Sequence, residues 1–310
     1  MQDTKIAPRM PAYLPYLICI LASMFYLYEF ILQVSPSVMT TELMRDFSVG
    51  AAGVSVISAF YYYAYTPMQL PAGLLYDRFG PRRVLTAAIL VCTAGAFFFC
   101  ATNSAAMASA GRFLMGMGSA FSFIGALMLV SRWFPARYFA LIAGIVQLMS
   151  SIGAISGQVP IAAAVNTYGW RHTLMWVAIA GLVLAIVVWL VVQDHPPGMT
   201  ISATVKKGEL QRLRMVLGKR QTWWIAIYSF AAWGPIVVFA ALWGIPYLVE
   251  RYGISTTTAS EACSMIWIGI GLGSPFFGWW SDKIGQRRLP LMTTILVLLG
   301  ILLMNLMASI

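Results

Sequence analysis

Charged side chains are scarce in this sequence. Asp, Glu, Lys and Arg make up 10% of the 310 residues, whereas hydrophobic residues make up 60%. Soluble globular domains carry about 25% charged and roughly 45–50% apolar residues. So few charges cannot cover a surface that faces water. The composition therefore excludes an ordinary soluble enzyme and predicts a protein that crosses a membrane several times.

Residue groupings that would support catalysis or cofactor binding are also absent from the sequence. The four cysteines lie within apolar runs, and the two histidines are isolated from other potential ligands. No metal-ligand spacing, nucleophile–base pair or phosphate-binding loop occurs. We therefore expect no catalytic residues, no metal ion and no cofactor.

Nine apolar stretches are long enough to cross the hydrocarbon core, which takes about 20 residues. They lie near residues 14–38, 51–75, 84–103, 107–131, 139–163, 172–193, 223–248, 260–280 and 289–308. The only long connection runs from 194 to 222 and carries several basic residues. The sequence therefore predicts an all-α integral membrane protein with about nine transmembrane helices.

The basic residues are distributed unevenly between the loops. If the N-terminus is cytoplasmic, 16 of the 20 Lys and Arg residues fall on the cytoplasmic side and three on the opposite side. A bias of this kind sets the orientation of membrane proteins. The net charge of +10 is therefore an orientation signal rather than evidence for a nucleic-acid partner, and it predicts a cytoplasmic N-terminus.

One sequence motif, G-x-x-x-D-[RK]-x-G-x-R-R, occurs twice at an offset of 205 residues. Its members are Gly73, Asp77, Arg78, Gly80, Arg82 and Arg83 in the first copy, and Gly278, Asp282, Lys283, Gly285, Arg287 and Arg288 in the second. The first copy lies between spans two and three, and the second between spans eight and nine. A repeat that returns after six spans in the same orientation predicts two parallel six-helix halves.

The repeated motif resembles the loop signature of the major facilitator superfamily of secondary transporters. A segment of span four that begins at Arg112 is similar to a second motif of this family. The glycines of span five resemble a third motif, typical of its antiporters. This chain departs from that pattern, because Gln158 follows Gly157 and the proline comes only at Pro160.

The resemblance implies a two-bundle architecture for the whole chain. It divides the sequence into a six-helix bundle over residues 1–193, a cytoplasmic linker over 194–222 and a partial bundle of three helices over 223–310. By analogy with the family, spans ten to twelve are missing and the chain is truncated. Spans five and eight are expected to pack together. The span-five residues assigned to helix packing are Gly144, Gly153, Gly157 and Pro160.

The two aspartates of the repeated motif are expected to act as gate contacts. Each stands at a helix end, where its carboxylate can bind the positive N-terminal end of a helix in the other bundle. The resemblance places the partner of Asp282 at the start of span five, near residues 135–139. The partner of Asp77 would lie in span eleven, which the chain lacks. In the alternative interpretation, the motif only anchors the topology through its arginines.

Two ionisable residues stand inside predicted spans, Glu29 in span one and Arg112 in span four. Such residues cost at least ~2.5 kcal/mol at a helix centre and are therefore functional candidates. Their depths differ by about 6 Å, which a long arginine can bridge. We expect Arg112 to bind a carboxylate of the substrate, and Glu29 to hold a substrate amine or the coupling proton. The alternatives are a structural ion pair and an Arg112 that reaches out to the headgroups.

Uncharged polar residues complete the candidate site. Gln33 lies one turn from Glu29 and shares its helix face. Span two carries tyrosines at positions 61, 62, 63 and 65, near the midplane of the membrane. One or two of them are expected to line a cavity, because buried hydroxyl groups need partners. We include Tyr62 in the candidate site.

The sequence therefore predicts a secondary transporter that moves a small polar organic solute by alternating access. Arg112 favours a substrate with a carboxylate, such as an amino acid, a peptide or an organic acid, and we expect proton coupling. Two alternatives stay open: an exporter of hydrophobic compounds, and a truncated membrane protein that does not transport. The expected location is the bacterial inner membrane.

Overall fold

The computed structural model describes residues 11–196 and 215–284, and every regular element within them is helical. In chain order the α-helices are α1 (Leu14–Val34), α2 (Thr40–Asp46), α3 (Ala51–Phe79), α4 (Pro81–Ala101), α5 (Ala105–Ser119), α6 (Ser122–Trp133), α7 (Phe139–Tyr168), α8 (Trp170–Val191), α9 (Arg220–Pro235), α10 (Gly244–Tyr252) and α11 (Thr256–Ile284). Two 3₁₀ turns (Ser35–Val38 and Ala136–Tyr138) and a π-helix (Ile236–Trp243) complete them.

Seven of the described helical segments are long and apolar enough to cross a membrane. An eighth consists of α2 and α3, which meet at a bend of 106°. These segments match the first eight predicted spans, so the prediction of an all-helical, multi-pass membrane fold is confirmed. Span four consists of α5 and α6, and span seven consists of α9, the π-helix and α10. The ninth predicted span, 289–308, lies outside the described residues.

Gly80 of the repeated motif forms the junction between α3 and α4. Its φ of +80° is a conformation that residues with a side chain rarely adopt. The N–H of Gly80 donates to the carbonyl of Tyr76 and ends α3, and Pro81 begins α4. A Cβ atom at position 80 would lie 2.6 Å from the carboxylate of Asp194. The junction therefore requires glycine both for its backbone conformation and for its contact with Asp194.

The first half of the structure, residues 11–196, is assembled around α1. This helix packs against α6, α7 and α8, while α4 lies against α5 and α8. Small residues let the backbones touch: a Cβ at Gly95 of α4 would lie 2.7 Å from the carbonyl oxygen of Gly111 in α5. Gly116 of α5 likewise contacts the backbone of Tyr61 in α3. In lipid, helix association depends on such close packing, because lipid tails are as apolar as the side chains.

The second half, described for residues 215–284, attaches to the first mainly through α11, which packs antiparallel on α7. A Cβ at Gly144 would lie 2.6 Å from the carbonyl oxygen of Ser274, and one at Gly278 would lie 2.5 Å from that of Ala140. The two helix backbones are therefore in direct contact. This is the packing of spans five and eight that the resemblance implied.

The other span-five residues that the sequence assigned to helix packing do not face α11. Gly153 and Gly157 lie against α1, where a Cβ at Gly157 would be 3.0 Å from Cα of Ile31. Nine residues separate Gly144 from Gly153, which at about 100° per residue places them on opposite faces of the helix. The side chain of Pro160 is exposed in the structure.

The first copy of the repeated motif and the described residues of the second copy lie at one end of the structure, which we call the motif end. The backbone N–H of Arg82 donates to the carboxylate of Asp194 at 2.8 Å, and Arg132 at the end of α6 donates to the Asp194 carbonyl at 3.1 Å. Helix α7 begins shortly after α6, and the N–H of Leu141 in its first turn donates to Asp282 at 3.0 Å. Gly285, Arg287 and Arg288 of the second copy lie outside the described residues.

The contact between the two halves can be tested with alanine substitutions of two glycines. We expect Gly144→Ala to destabilise the protein by about 1–3 kcal/mol, because the new methyl group overlaps the backbone of α11. Gly273→Ala is the matched control, because its Cβ would meet nothing closer than 3.9 Å. Thermal unfolding in detergent is the measurement. Equal stability of the two variants would contradict the packing described above.

Candidate functional site

Glu29 lies in the middle of the first half, where its side chain is fully buried. The hydroxyl group of Tyr61 in α3 donates to Oε1 of Glu29 at 2.8 Å. The hydroxyl group of Ser122 in α6 lies 3.1 Å from Oε2. Each carboxyl oxygen therefore has a hydroxyl partner. No Lys or Arg in the part of the chain that the structure describes forms an ion pair with Glu29.

Ser122 reaches Glu29 because span four is broken. Helix α5 ends at Ser119 and α6 begins at Ser122. The Ser122 hydroxyl also lies 2.8 Å from the carbonyl oxygen of Ser119, which faces the break. A serine hydroxyl has a single proton, so it can donate to the Ser119 carbonyl or to Glu29, but not to both at once.

Arg112 of α5 is also buried, with 2% of its surface exposed. Its Nη1 donates to the carbonyl of Leu32 at 2.7 Å, and its Nη2 donates to that of Gln33 at 3.4 Å. Both carbonyls belong to the last turn of α1, the negative end of that helix dipole. The Nε–H of Arg112 has no partner among the described residues. Arg112 is therefore held inside the protein and does not reach out to the headgroups.

Tyr61 connects the two buried ionisable residues. Its hydroxyl group binds Glu29, and its ring faces Arg112, whose Cζ lies 4.7 Å from the ring centroid. Such a cation–π contact is favourable where water is excluded. Within the described residues Glu29 and Arg112 form no direct ion pair, so the interpretation as a structural ion pair is wrong. Instead, each of the two residues contacts Tyr61.

The sequence did not select Tyr61 from the four tyrosines of span two. The buried positions of α3 include Val54, Ile57, Tyr61 and Ala64, which follow helical spacing. Continuing this helical spacing from Val54 and Ile57 along the sequence leads to Tyr61.

Tyr62, the tyrosine that the sequence analysis chose, is half-buried and packs edge-on against the ring of Tyr61. Gln33 is buried, and its Oε1 has no hydrogen-bond partner among the described residues. Both predicted residues therefore lie beside the Glu29–Tyr61–Arg112 group.

A contact between the two halves stands at the motif end. Oδ2 of Asp282 in α11 accepts a hydrogen bond of 3.0 Å from the N–H of Leu141. Leu141 is the third residue of α7, in the turn whose N–H groups have no partner within the helix. The contact is thus two residues beyond the stretch implied by the resemblance. Asp77 is exposed and receives no hydrogen bond from the residues between 11 and 196 or between 215 and 284.

Comparison with known proteins gives the family. A family model described as Major Facilitator Superfamily matches residues 17–310. The chain belongs to the major facilitator superfamily. It is therefore a multi-pass integral membrane protein of a transporter family and not an enzyme.

Individual members of the superfamily are similar to this chain at low identity. The hexuronate transporter of Bacillus subtilis is 25% identical over 81% of this chain, and the probable galactarate/D-glucarate transporter of Escherichia coli is 23% identical over 84% of it. The chain spans 60% and 65% of the lengths of these two relatives. The solved structure of the Escherichia coli fucose:proton symporter matches 86% of this chain and 71% of its own, with a TM-score of 0.65 and 16% identity.

Asp194, which follows α8, binds the repeated motif, and the sequence did not predict this contact. Its carboxylate binds the first turn of α4, and its carbonyl binds Arg132. Arg82 of the motif donates from Nε to the carbonyl of Trp189 at 2.7 Å and lies over the indole ring. The end of α8 is thereby tied to α4 and α6. The sequence shows Asp194 only as the first residue of the linker, because its partners lie more than 60 residues away.

The basic residues of the motif that the structure describes, apart from Arg82, make few contacts. Lys283 lies 5.0 Å from the centroid of the Trp279 ring. Arg78 and Arg83 of the first copy are exposed at the motif end. Gly73 lies within α3, where a Cβ would meet no atom within 4 Å. The three basic side chains suit the boundary of a membrane, where cationic groups contact lipid headgroups.

A polar cluster closes the end of the first half opposite the motif end. Asp46 at the end of α2 accepts hydrogen bonds from the indole N–H of Trp170 at 2.9 Å and from Arg171, with which it forms an ion pair. Arg171 also donates to the carbonyl of Thr102 at 3.2 Å and to Asn103 at 2.8 Å. The cluster joins spans two, three and six.

At the same end, a cavity of about 640 Å³ lies between the two halves. Glu42 and Asn166 line it from the first half, and Trp243, Tyr247 and Glu250 line it from the second. Its lining is more polar than that of the grooves on the outer faces of α3, α4 and α8.

The Asp46 cluster can be tested by removing the charge at its centre. We expect Asp46→Asn to lower the unfolding free energy by about 1 kcal/mol, because the amide keeps the size of the side chain but cannot form the ion pair with Arg171. Glu42→Gln in the same helix is the control, and thermal unfolding in detergent is the measurement. Equal stability of the two variants would contradict a stabilising role of the cluster.

Proposed function

We propose that the chain works as a proton-coupled secondary transporter of a carboxylate-bearing sugar acid. The observation that carries this proposal is the buried group of Glu29, Tyr61 and Arg112, in which an acid and a guanidinium share one tyrosine. The names of the two relatives, a hexuronate and a probable galactarate/D-glucarate transporter, support the substrate class. The family membership supports alternating access between two helical halves.

Arg112 is the group that binds the carboxylate of the substrate in this proposal. Two carbonyls of α1 fix the guanidinium, and its Nε–H remains available. The planar fork of an arginine suits a carboxylate, with which it forms paired, charge-assisted hydrogen bonds. Gln33, whose Oε1 also lacks a partner in the described structure, can accept from a hydroxyl group of the sugar.

Glu29 carries the coupling proton in this proposal. The position of Ser122 suits both states of the carboxyl group. When Glu29 is ionised, Ser122 donates to its Oε2. When Glu29 is protonated, its Oε2–H can donate to Ser122, whose own proton then turns to the Ser119 carbonyl. Proton binding and release therefore need only the rotation of one hydroxyl group, and both carboxyl oxygens of Glu29 keep a partner in either state.

The link between proton and substrate runs through Tyr61. An ionised Glu29 attracts the positive charge of Arg112 across the tyrosine ring and competes with a substrate carboxylate for it. A protonated Glu29 has no charge and does not compete for Arg112. The site therefore binds an anion best after Glu29 has bound a proton. This order of binding is what proton-driven uptake of an acid requires.

The orientation and the gate also belong to the proposal. We place the motif end in the cytoplasm, because it carries Arg78, Arg82, Arg83 and Arg132, and the membrane is the bacterial inner membrane with the N-terminus inside. Asp282 holds the cytoplasmic end shut through the first turn of α7. Its contact must break when that end opens.

The substrate assignment is tested by Arg112→Lys, which keeps the charge but removes the planar fork. We expect the KM for uptake of D-glucuronate into membrane vesicles to rise at least tenfold, which corresponds to the loss of about 1.5 kcal/mol of charge-assisted hydrogen bonding. D-glucose, which lacks the carboxylate, is the matched ligand and should not compete before or after the substitution. An unchanged KM for every sugar acid tried would reject the role of Arg112.

A further inference from the structure

A second polar contact between the halves lies on α7, away from the motif end. Gln158 is fully buried there. Its Nε2 donates to the carbonyl oxygen of Ala240 at 2.6 Å, and the hydroxyl of Ser264 lies 3.3 Å from its Oε1. Ser264 makes a shorter hydrogen bond to the carbonyl of Ser260 within α11, so the bond to Ala240 is the principal one. Gln158 therefore ties span five to span seven and, more weakly, to span eight.

The two polar contacts are far apart along the same helix. Leu141, which binds Asp282, is the third residue of α7, and Gln158 follows 17 residues later, or about 25 Å along the helix axis. This distance is most of the thickness of a hydrocarbon core, which is about 30 Å. Between them the helices meet through glycines such as Gly144 and Gly271, without inter-helix polar bonds in the described structure.

The acceptor of the Gln158 bond belongs to an irregular part of span seven. Ala240 lies in the π-helix Ile236–Trp243, which directly follows Pro235. Its wider turns interrupt the regular hydrogen-bond ladder, and such segments often occur at functional sites. The same segment contacts the 3₁₀ turn Ser35–Val38 at the end of span one. Span seven is thus irregular where it meets the first half.

The cavity of about 640 Å³ begins beyond this contact. Asn166, which lines it, lies two turns further along α7 than Gln158, and Trp243 of the π-helix lines it from the other half. Gln158 therefore lies deeper along α7 than the residues that line the cavity. Separating Gln158 from Ala240 would extend the cavity inwards along α7.

We propose that Gln158 is the gate contact at the end opposite the motif end. It closes that end by binding the π-helix of span seven, and the bond breaks when the end opens, while Asp282 keeps the motif end shut. A hydrogen bond between two neutral groups suits this task, because its rupture leaves no uncompensated charge in the membrane. This inference rests on the proposed alternating access. In the present structure both contacts are formed.

The test measures the accessibility of single cysteines in membranes, with a membrane-impermeant maleimide added to each side in turn. The four native cysteines are first replaced by alanine. One reporter is Ala162→Cys, which lies one turn beyond Gln158 at a position that is 1% exposed. The other is Ser274→Cys, near the motif end of α11. Each reporter is combined with Gln158→Met, which keeps the length of the side chain but removes both hydrogen-bonding groups.

We expect Gln158→Met to raise the labelling rate of Ala162→Cys at least fivefold and to leave that of Ser274→Cys within twofold. Asp282→Asn should do the reverse. The matched control is Gln147→Met, the same substitution on the same helix, because Gln147 bonds only to Tyr26 and Ser150 of the first half. Ser264→Ala, which removes the weaker bond, should give a smaller increase in the same direction as Gln158→Met.

Two results would overturn the inference. The first is an unchanged labelling rate of Ala162→Cys in the Gln158→Met variant. The second is an equal increase at both reporters, which would mean that the whole interface has loosened. Because labelling needs no substrate, a failure here is distinct from a failure of the sugar-acid assignment, which the uptake measurements decide.

Discussion

Inside a membrane no water replaces a missing hydrogen-bond partner, so a buried polar side chain is stabilised by partners within the protein. Three buried side chains in the described structure illustrate this constraint. Glu29 is held by two hydroxyl groups, Arg112 by two carbonyls at the end of α1, and Gln158 by a carbonyl of the opposite half. None of the three relies on an opposite charge. Their contacts can therefore be exchanged without separating an ion pair.

The same constraint explains how the two halves are joined. Backbone contact at glycines such as Gly144 and Gly271 holds α7 and α11 together, and in the described part of the chain the polar contacts of Asp282 and Gln158 lie on either side of these glycines. In the proposed transport cycle such an interface can pivot, because the small residues keep the helices close while the polar contact on one side breaks. Asp282 and Gln158 differ in character: the first is a charge on a helix end, and the second is a neutral amide. The end that Asp282 closes is therefore the more sensitive to ionic strength.

Much of the fold could be predicted from the sequence, because apolar length and the repeated motif depend on local pattern. The first eight spans and the family follow from such patterns, and the resemblance to the family implied that Asp282 meets the start of α7. The contacts of Tyr61, Asp194 and Gln158 could not be predicted in this way. Each joins residues that are far apart in the chain, and the rotation of the helices decides which side chain meets which.

The rotation of α7 is a clear example. The three glycines of span five look alike in the sequence, yet Gly144 contacts α11 whereas Gly153 and Gly157 contact α1. Gln158 stands where the family pattern has proline, and only the structure shows what its side chain binds. Residues that break a family pattern are hard to interpret from one sequence, because the pattern describes the usual partner and not the new one.

In the proposed mechanism, Tyr61 couples the binding of a proton to Glu29 with the binding of an anion to Arg112. The substitution Tyr61→Phe tests this coupling, because it keeps the ring that faces Arg112 and removes the hydroxyl group that binds Glu29. The measurement compares exchange of labelled D-glucuronate at equal pH with its accumulation driven by a pH gradient, and Tyr62→Phe is the control. For Tyr61→Phe we expect an exchange rate within a few-fold of that of the unmodified chain and at least a tenfold loss of accumulation. Unchanged accumulation, or a parallel loss of both activities, would contradict it.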